Sequence, residues 1–241
     1  MRTIGEAPVI ARYIGARHVI GRYVGQEQIF IDYILQGLLH HFDGRNNVGT
    51  GVHDPDADVW VDLVTGVQAT LQDVSWQDFG VLFSSLSAKV FYQGQSVQNY
   101  TIFSTHRVAD FQGLHPRLFG EAPYPTLYLH SNANYAYALF GQGMDTFFIP
   151  QTIPPIGTTV QAAIRFGGTG VVDLFFNGVL TASLSNVLLN PSPVPTMYIG
   201  CRQADDRVFS GEIYEHLVYN RALSNEEVYH NFLVSKQRYQ L

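Results

Sequence analysis

Short apolar segments separated by turn-forming residues recur along the chain from residue 38 onward, and this pattern constrains the fold more than any other feature. The segments follow one another roughly every dozen residues with Gly, Asn or Pro between them, which is typical of a β-sandwich. Strands are predicted at 38–43, 59–63, 67–72, 79–84, 88–92, 98–104, 116–119, 126–130, 136–140, 144–149, 160–166, 171–176, 179–184, 196–200 and 212–219.

Two local signals refine this pattern. Asn177-Gly178 joins two apolar segments, and this dipeptide is the strongest short-range signal for a β-hairpin. Near the C-terminus, Ser224 is a good helix N-cap, and Glu227 follows three residues later as in a capping box. A short helix is therefore predicted at 222–232.

Composition excludes several classes of protein. Charged residues make up 14% of the 241 residues and the net charge is −6, without a Lys/Arg cluster, which argues against nucleic-acid binding. We find no apolar run of about 18 residues, so no membrane insertion is predicted, and residues 1–8 do not read as a secretory signal. Cys201 is the one cysteine, which fits assembly in a reducing compartment such as a bacterial cytoplasm.

The N-terminus contains an internal repeat, in which residues 9–15 are echoed by 19–25 and more loosely by 29–34. Each copy is a short apolar strand, and the copies are joined by Gly-led links at 15–18 and 25–28, which predicts a three-stranded β-meander. The even offset predicts that Tyr13, Tyr23 and Tyr33 align on one face and serve assembly. So small a sheet rarely stands alone, so it either docks on another chain or forms the edge of the main sheet.

The region from 36 to 241 resembles the laminin-G-like, or concanavalin A-like, jelly roll, in the version common in bacteriophage structural proteins and secreted bacterial proteins. The resemblance rests on segments in family order: 38–47 (LLHHFDGRNN), 60–66 (WVDLVTG), 174–179 (LFFNGV), and 199–200 followed by 209–228, which ends in VYNRALSNEEV. The resemblance implies an all-β, two-sheet jelly-roll sandwich with a short C-terminal helix. The predicted domains are an attachment segment, 1–35, and the jelly roll, 36–241.

The resemblance also implies a function. Residues 23–30 resemble hairpins at the start of phage tail and baseplate proteins. The implied role is a non-enzymatic virion protein, assembled in the bacterial host cytoplasm, anchored to other virion proteins and presenting the jelly roll for host-surface or glycan binding. Such fibres are usually homo-oligomers, commonly trimers. Two alternatives stay open: a structural tail, baseplate or capsid decoration protein without a glycan ligand, and a bacterial carbohydrate-binding or adhesion module.

Candidate ligand residues lie in a loop-rich central segment. Sugars bind by stacking their apolar faces on aromatic rings while amides satisfy their hydroxyl groups. The candidates are Tyr124, Tyr128, His130, Asn132, Asn134, Tyr135 and Tyr137. The alternative is that these rings belong to the core or to a subunit interface, and Trp60 and Trp76 are also predicted as core.

A catalytic site is not predicted. Hydrolases of the resembled superfamily place alternate carboxylates on one strand so that both face the cleft. Glu212 and Glu215 are three residues apart on a predicted strand and should face opposite sides. The sequence also lacks G-x-S-x-G and H-E-x-x-H motifs.

A calcium site is the one cofactor hypothesis. Asp54, Asp56 and Asp58 alternate along a loop, and such carboxylates can wrap a hard cation. The loop departs from the EF-hand pattern, since Val59 and Thr65 occupy positions that need Gly and Glu, although some members of the resembled family bind calcium. The alternative is a solvated acidic loop. His40 and His41 should point to opposite faces of their strand and cannot form a simple two-ligand site.

Overall fold

β-Strands dominate the computed structural model, which describes residues 10–14, 17–24, 27–95, 98–110, 116–120, 126–130, 134–141, 143–152, 155–168, 170–185, 196–202 and 207–241. In chain order the strands are β1 (Ile10–Ile14), β2 (Arg17–Val24), β3 (Glu27–Ile31), β4 (Leu38–Asp43), β5 (Val59–Val61), β6 (Gln68–Gln72), β7 (Ser75–Gln77), β8 (Gly80–Phe83), β9 (Lys89–Tyr92), β10 (Tyr100–Val108), β11 (Arg117–Phe119), β12 (Thr126–His130), β13 (Asn134–Gly141), β14 (Gly143–Thr152), β15 (Thr159–Phe166), β16 (Val172–Phe176), β17 (Val179–Leu184), β18 (Met197–Ile199) and β19 (Gly211–Tyr219). A 3-10 helix, Gly44–Asn46, follows β4, and helix α1 spans Asn225–Tyr239.

Two eight-stranded antiparallel sheets form the sandwich. The helix-side sheet has the order β17-β16-β15-β10-β19-β8-β7, with β4 also paired to β19. The opposite sheet has the order β14-β13-β12-β11-β18-β9-β6-β5. The predicted all-β sandwich with a short C-terminal helix is confirmed. The sequence pattern missed the short strand β7 and ended β10 four residues early.

Two hydrophobic cores hold these layers together. The larger lies between the sheets and contains Trp60 and Phe42, both fully buried, as predicted for Trp60. The second lies between the helix-side sheet and α1, where Phe103 and Leu217 meet Val228. All nine residues of β19 are buried because this strand has one core on each face.

Both local sequence signals are confirmed. Asn177 and Gly178 have positive φ angles of 48° and 76°, as a two-residue hairpin turn between β16 and β17 requires. Helix α1 begins at the cap Ser224, whose hydroxyl accepts from the backbone N–H of Glu227, while the Glu227 carboxylate accepts from the N–H of Ser224. The helix continues beyond the predicted end because Tyr239 is still buried against the sandwich.

Strands β1, β2 and β3 form an antiparallel sheet of their own, which agrees with the predicted meander. The predicted alignment of its tyrosines is wrong: Tyr13 pairs with His18, Tyr23 pairs with Gln28, and Tyr33 lies after the end of β3. Neighbouring antiparallel strands run in opposite directions, so a constant sequence offset does not bring equivalent positions together. No helix within the described ranges is long and apolar enough to cross a membrane.

Tyr33, predicted as an assembly residue, is instead buried in the second core with Ile34. The backbone N–H of Ile34 donates to Oδ1 of Asn231 over 3.0 Å, and the hydroxyl of Tyr219 donates to the carbonyl of Ile34 over 2.9 Å. Tyr33 and Ile34 therefore pack as part of the sandwich, although the repeat groups them with the attachment segment.

Candidate functional site

Strand β19 changes its neighbour halfway along, and this change shapes one end of the sandwich. On one side, residues 215–219 pair with β4 and residues 211–213 pair with β8. On the other side, Thr105 pairs with Glu215 while His106 pairs with Ile213, so Tyr214 is the extra residue of a β-bulge. The chain after β4 must therefore leave the sheet where β8 enters it.

Gly44 lies where the two segments cross. A Cβ atom at this position would lie 1.7 Å from the carbonyl oxygen of Phe79, so the close backbone approach requires glycine. The crossing places the loop that starts at Gly44 against the turn between β7 and β8.

Five side chains from these segments and from α1 form a surface cluster, which we call the rim cluster: Arg45, His53, Trp76, Phe79 and Tyr239. The ring of His53 stands edge-on to Trp76 and to Phe79, with centroid distances of 5.4 Å in both cases. The guanidinium carbon of Arg45 lies 4.1 Å from the ring centroid of Phe79 and 6.0 Å from that of Tyr239. All except the buried Tyr239 are partly exposed.

A buried carboxylate supports the cluster from beneath. Asp43 accepts hydrogen bonds from the backbone N–H of Arg45 over 2.8 Å and from the hydroxyl of Tyr239 over 2.6 Å, and it forms an ion pair with Arg238. Burial, followed by the negative charges of Asp43 and Glu215, raises the pKa of Tyr239. This hydroxyl therefore stays protonated and donates at ordinary pH.

Two polar groups of the rim cluster have unused hydrogen-bonding capacity. Within the described ranges the guanidinium of Arg45 has no hydrogen-bonded or ionic partner, and its Nε is buried. Nδ1 of His53 donates to the carbonyl of Gly44 over 2.7 Å, which leaves Nε2 uncommitted. Ring faces beside free polar groups are the combination that recognises saccharides.

The β-bulge corrects the prediction for the two glutamates. Glu212 pairs opposite Arg107 and Glu215 opposite Thr105, which are alternate residues of β10, so both glutamates lie on the face toward α1. Glu212 receives two hydrogen bonds from Arg107, at 2.6 and 2.8 Å, and one from the hydroxyl of Tyr214. Burial and the Glu212 carboxylate raise the pKa of that hydroxyl.

Glu215 is fully buried and serves as an internal anchor. Its carboxylate accepts from the hydroxyls of Ser235 over 2.6 Å and Thr105 over 3.1 Å, and from Tyr33. These bonds join α1 and the segment after β3 to the helix-side sheet. Both glutamates are thus engaged in internal hydrogen bonds. That the protein is not an enzyme stays a prediction. Its support is now this internal bonding, since the two carboxylates do not face opposite sides of the sheet.

The central ligand candidates fall into three groups. Tyr128 is 5% exposed, so the structure gives it a packing role instead of an accessible ring face. Tyr124 and Asn132 lie outside the described residues. The other four lie on β12 and β13, where the backbone register pairs His130 with Asn134, Leu129 with Tyr135 and Leu127 with Tyr137. Ligand binding by these four stays a prediction.

The acidic loop is organised by its own hydrogen bonds. Asn47 exchanges two hydrogen bonds with the backbone of Asp54, at 2.7 and 2.8 Å, and the Asp54 carboxylate accepts from the N–H of Asp56 over 3.0 Å. Asp56 and Asp58 are exposed. The part of the chain that the structure describes holds no group of three His, Cys, Asp or Glu side chains placed to bind a metal, so the geometry lends no support to a calcium site.

The two adjacent histidines point to opposite faces, as predicted. Nδ1 of His40 lies 2.8 Å from Oδ2 of Asp62 in the main core, while His41 contacts Tyr33 on the other face. Burial alone would raise the pKa of Asp62, but hydrogen bonds from His40, Thr65 and two backbone amides lower it to about 2. This aspartate of the WVDLVTG segment therefore ties β4 to the opposite sheet.

Sequence spacing does not predict the rim cluster. Arg45 and Phe79 come from two separate turns and Tyr239 from the end of the chain, so no local spacing connects them. One residue of the cluster does lie in a segment that carries the family resemblance, since Arg45 is part of LLHHFDGRNN.

Comparison with known proteins identifies the fold as that of the concanavalin A-like lectin/glucanases superfamily. A family profile described as the concanavalin A-like lectin/glucanases superfamily matches residues 98–229, more than half of the chain. A Trypanosoma rangeli sialidase superposes with a TM-score of 0.64 over 83% of the chain at 15% identity. Domain 4 of AbnA, a GH43 extracellular arabinanase from Geobacillus stearothermophilus solved with arabinotriose, superposes with a TM-score of 0.64 over 80% of the chain at 16% identity.

The two structural matches differ in how much of the known protein they cover. The chain spans about a third of the sialidase but 96% of the arabinanase domain. At these identities the similarity shows the fold alone, and one fold hosts many functions. A search of curated proteins finds no significant match.

Proposed function

The chain belongs to the concanavalin A-like lectin/glucanase superfamily, and from this premise we propose that it is a non-enzymatic glycan-binding protein of a bacteriophage particle. The observation that carries the glycan-binding role is the rim cluster, where partly exposed rings lie beside uncommitted polar groups. The arabinanase domain of the same fold, which was solved with arabinotriose, supports a sugar ligand.

The attachment role is assigned to the N-terminal sheet. Strands β1–β3 pair only with one another among the described residues, so their outer edges are unpaired with the sandwich strands. Sheet edges of this kind are suited to pairing with another chain. In this proposal the sheet joins the protein to other virion proteins and to further copies of itself, with a trimer as the expected assembly.

Binding to a panel of bacterial surface polysaccharides tests the glycan-binding role. We expect the full chain to bind at least one of them and Phe79→Ala to weaken that binding about tenfold or more, because the ring supports both His53 and Arg45. Leu86→Ala is the matched control, since Leu86 is a highly exposed apolar residue elsewhere on the surface. If the full chain bound none of the polysaccharides, the glycan-binding proposal would be rejected.

Two further measurements test the remaining parts of the proposal. Prolonged incubation with the bound polysaccharide should release no new reducing ends, and their release would show that the protein is an enzyme. Immunogold labelling of phage particles purified from the host should place the protein on the particle. Glycan binding by a protein that is absent from particles would instead favour the bacterial adhesion module.

A further inference from the structure

We propose that Arg45 is an oxyanion-recognition residue, so that the ligand of the rim cluster is a saccharide bearing a carboxylate or phosphate group. This inference rests on the proposed glycan-binding function and narrows its ligand class. Its starting point is that the guanidinium of Arg45 has no acidic partner within the described ranges, although it is only partly exposed.

The negative charge of the acidic residue nearest to Arg45 in sequence is already balanced by a neighbouring cation. Asp43 is 1% exposed, and its two oxygens are used by Arg238, by the hydroxyl of Tyr239 and by the backbone N–H of Arg45. The charge of Arg238 thus balances that of Asp43, and the charge of Arg45 has no acidic partner within the described ranges. The five side chains of the rim cluster include the cationic Arg45 and no acidic group, on a chain whose net charge is −6.

The orientation of Arg45 is fixed before any ligand arrives. Its guanidinium stacks on Phe79 at 4.1 Å with Tyr239 at 6.0 Å, which restricts the rotamers of a long side chain. Ordering such a side chain normally reduces binding affinity, so a guanidinium that is already ordered binds an anion with less entropic loss. Because this stack also shields Nε from solvent without giving it a hydrogen-bond acceptor, the charge is incompletely solvated.

The chemistry of the site points to an oxyanion attached to a sugar. A guanidinium presents parallel N–H groups that match the oxygens of a carboxylate or phosphate. The partly exposed rings of Phe79 and Trp76 offer apolar surface to the sugar, and Nε2 of His53 can accept a hydrogen bond from a sugar hydroxyl. Arg45 would therefore select charged over neutral glycans.

Isothermal titration of the full chain tests this selection with three probes: a galacturonic acid oligomer, its methyl ester, which has the same sugar without the charge, and a poly(ribitol phosphate). We expect the ester to bind at least tenfold more weakly than the acid. Arg45→Gln should weaken binding of the charged probe about tenfold or more and leave the ester unchanged. Lys236→Gln, which removes one positive charge from an exposed residue of the last turns of α1, should leave all affinities within about twofold.

The outcomes separate this inference from the proposed function. Equal affinity for acid and ester, or wild-type affinity in Arg45→Gln with an unchanged melting temperature, would overturn the role of Arg45 while glycan binding stands. If Arg45→Gln melts at a lower temperature, Arg45→Lys decides, since it keeps the charge but not the fork and should recover only part of the affinity. Tighter binding of the poly(ribitol phosphate) than of the galacturonate would identify phosphate as the oxyanion. Failure of every glycan, charged or neutral, overturns both proposals.

Discussion

At the scale of single residues, Glu215 is a fully buried carboxylate that joins the helix-side sheet to α1 and to the segment after β3. It is buried between β19 and α1 and accepts from the hydroxyls of Tyr33, Thr105 and Ser235. Glu215→Ala removes the shared acceptor of these hydroxyls and leaves Tyr33 and Ser235 only longer hydrogen bonds, to Ser235 and to the carbonyl of Asn231, both at 3.2 Å. We expect it to lower the free energy of unfolding by about 3–5 kcal/mol. Urea denaturation monitored by tryptophan fluorescence measures the change.

Two companion variants make this prediction specific. Glu215→Gln keeps one side-chain carbonyl, so its loss should be smaller, about 1–2 kcal/mol. Asp58→Asn removes a carboxylate from an exposed loop position and should change stability by less than about 0.5 kcal/mol. Equal losses in all three variants would mean that stability responds to the net charge of the chain and not to the hydrogen bonds of Glu215.

Buried histidines make the fold sensitive to acid. Burial, with a smaller effect of His40, lowers the pKa of His216 to about 3, and burial lowers the pKa of His106 to about 4. In the unfolded chain both titrate near pH 6.5, so below that pH the unfolded state binds more protons than the native state. Stability should be constant above about pH 6.5 and should fall as the pH drops toward 4, by up to about 1.4 kcal/mol per pH unit for each histidine.

Urea midpoints at pH 7, 5.5 and 4 measure this dependence. Substituting His216→Gln removes one of the two titrating groups, so the fall in stability between pH 6.5 and 4 should be roughly halved. Asp62 adds little to this fall, because its folded pKa is about 2 and its stabilising effect is lost mainly below its unfolded pKa of about 3.9. An unchanged slope in His216→Gln would contradict the assignment.

At the scale of elements, the sequence predicted what local chemistry determines. The Asn177-Gly178 turn and the Ser224–Glu227 capping box are formed by residues within a few positions of each other, and both are present. The bulge at Tyr214 and the exchange of β4 for β8 beside β19 arise from pairing between distant segments. Sequence spacing alone therefore placed Glu212 and Glu215 on opposite faces and missed the rim cluster that the exchange creates.

Gly44 is the residue on which that exchange depends. In Gly44→Ala the new methyl group would overlap the carbonyl oxygen of Phe79, so the two segments must separate. We expect a loss of about 1–3 kcal/mol in unfolding free energy, together with weaker binding of whichever glycan the protein recognises. Differential scanning calorimetry and the polysaccharide panel provide the two measurements.

Gly167→Ala is the matched control for this substitution. Its nearest heavy atom would be Cβ of Ala222 at 3.7 Å, an ordinary contact, and its φ angle is not positive. The variant should keep wild-type stability and binding. If Gly44→Ala behaved like Gly167→Ala, the close crossing of the two segments would not exist in solution.

At the scale of the whole molecule, the sandwich takes in residues that the repeat assigns to the N-terminal segment. His230 lies 2.7 Å from the carbonyl of Asp32 through its Nε2 atom, and Tyr33 and Ile34 fill the space beneath α1. The sandwich therefore begins no later than Asp32, a few residues before the boundary at 35 that the sequence suggests. The repeat could not show this, because the burial of Tyr33 depends on Glu215 and Ser235, about 200 residues away.

Two truncations test this boundary and the attachment role together. A chain that begins at Asp32 loses the whole N-terminal sheet but keeps Tyr33 and Ile34, so its melting temperature should stay within about 2 °C of the full chain. A chain that begins at Gln36 also loses the buried Tyr33 and Ile34, each of which contributes about 1.5–3 kcal/mol by burial, and should melt several degrees lower.

Sedimentation should show that both truncated chains are monomers if the N-terminal sheet joins the copies. A chain from Asp32 that still forms the full-length oligomer would move the assembly contacts into the sandwich, and one that fails to fold would show that β1–β3 support it.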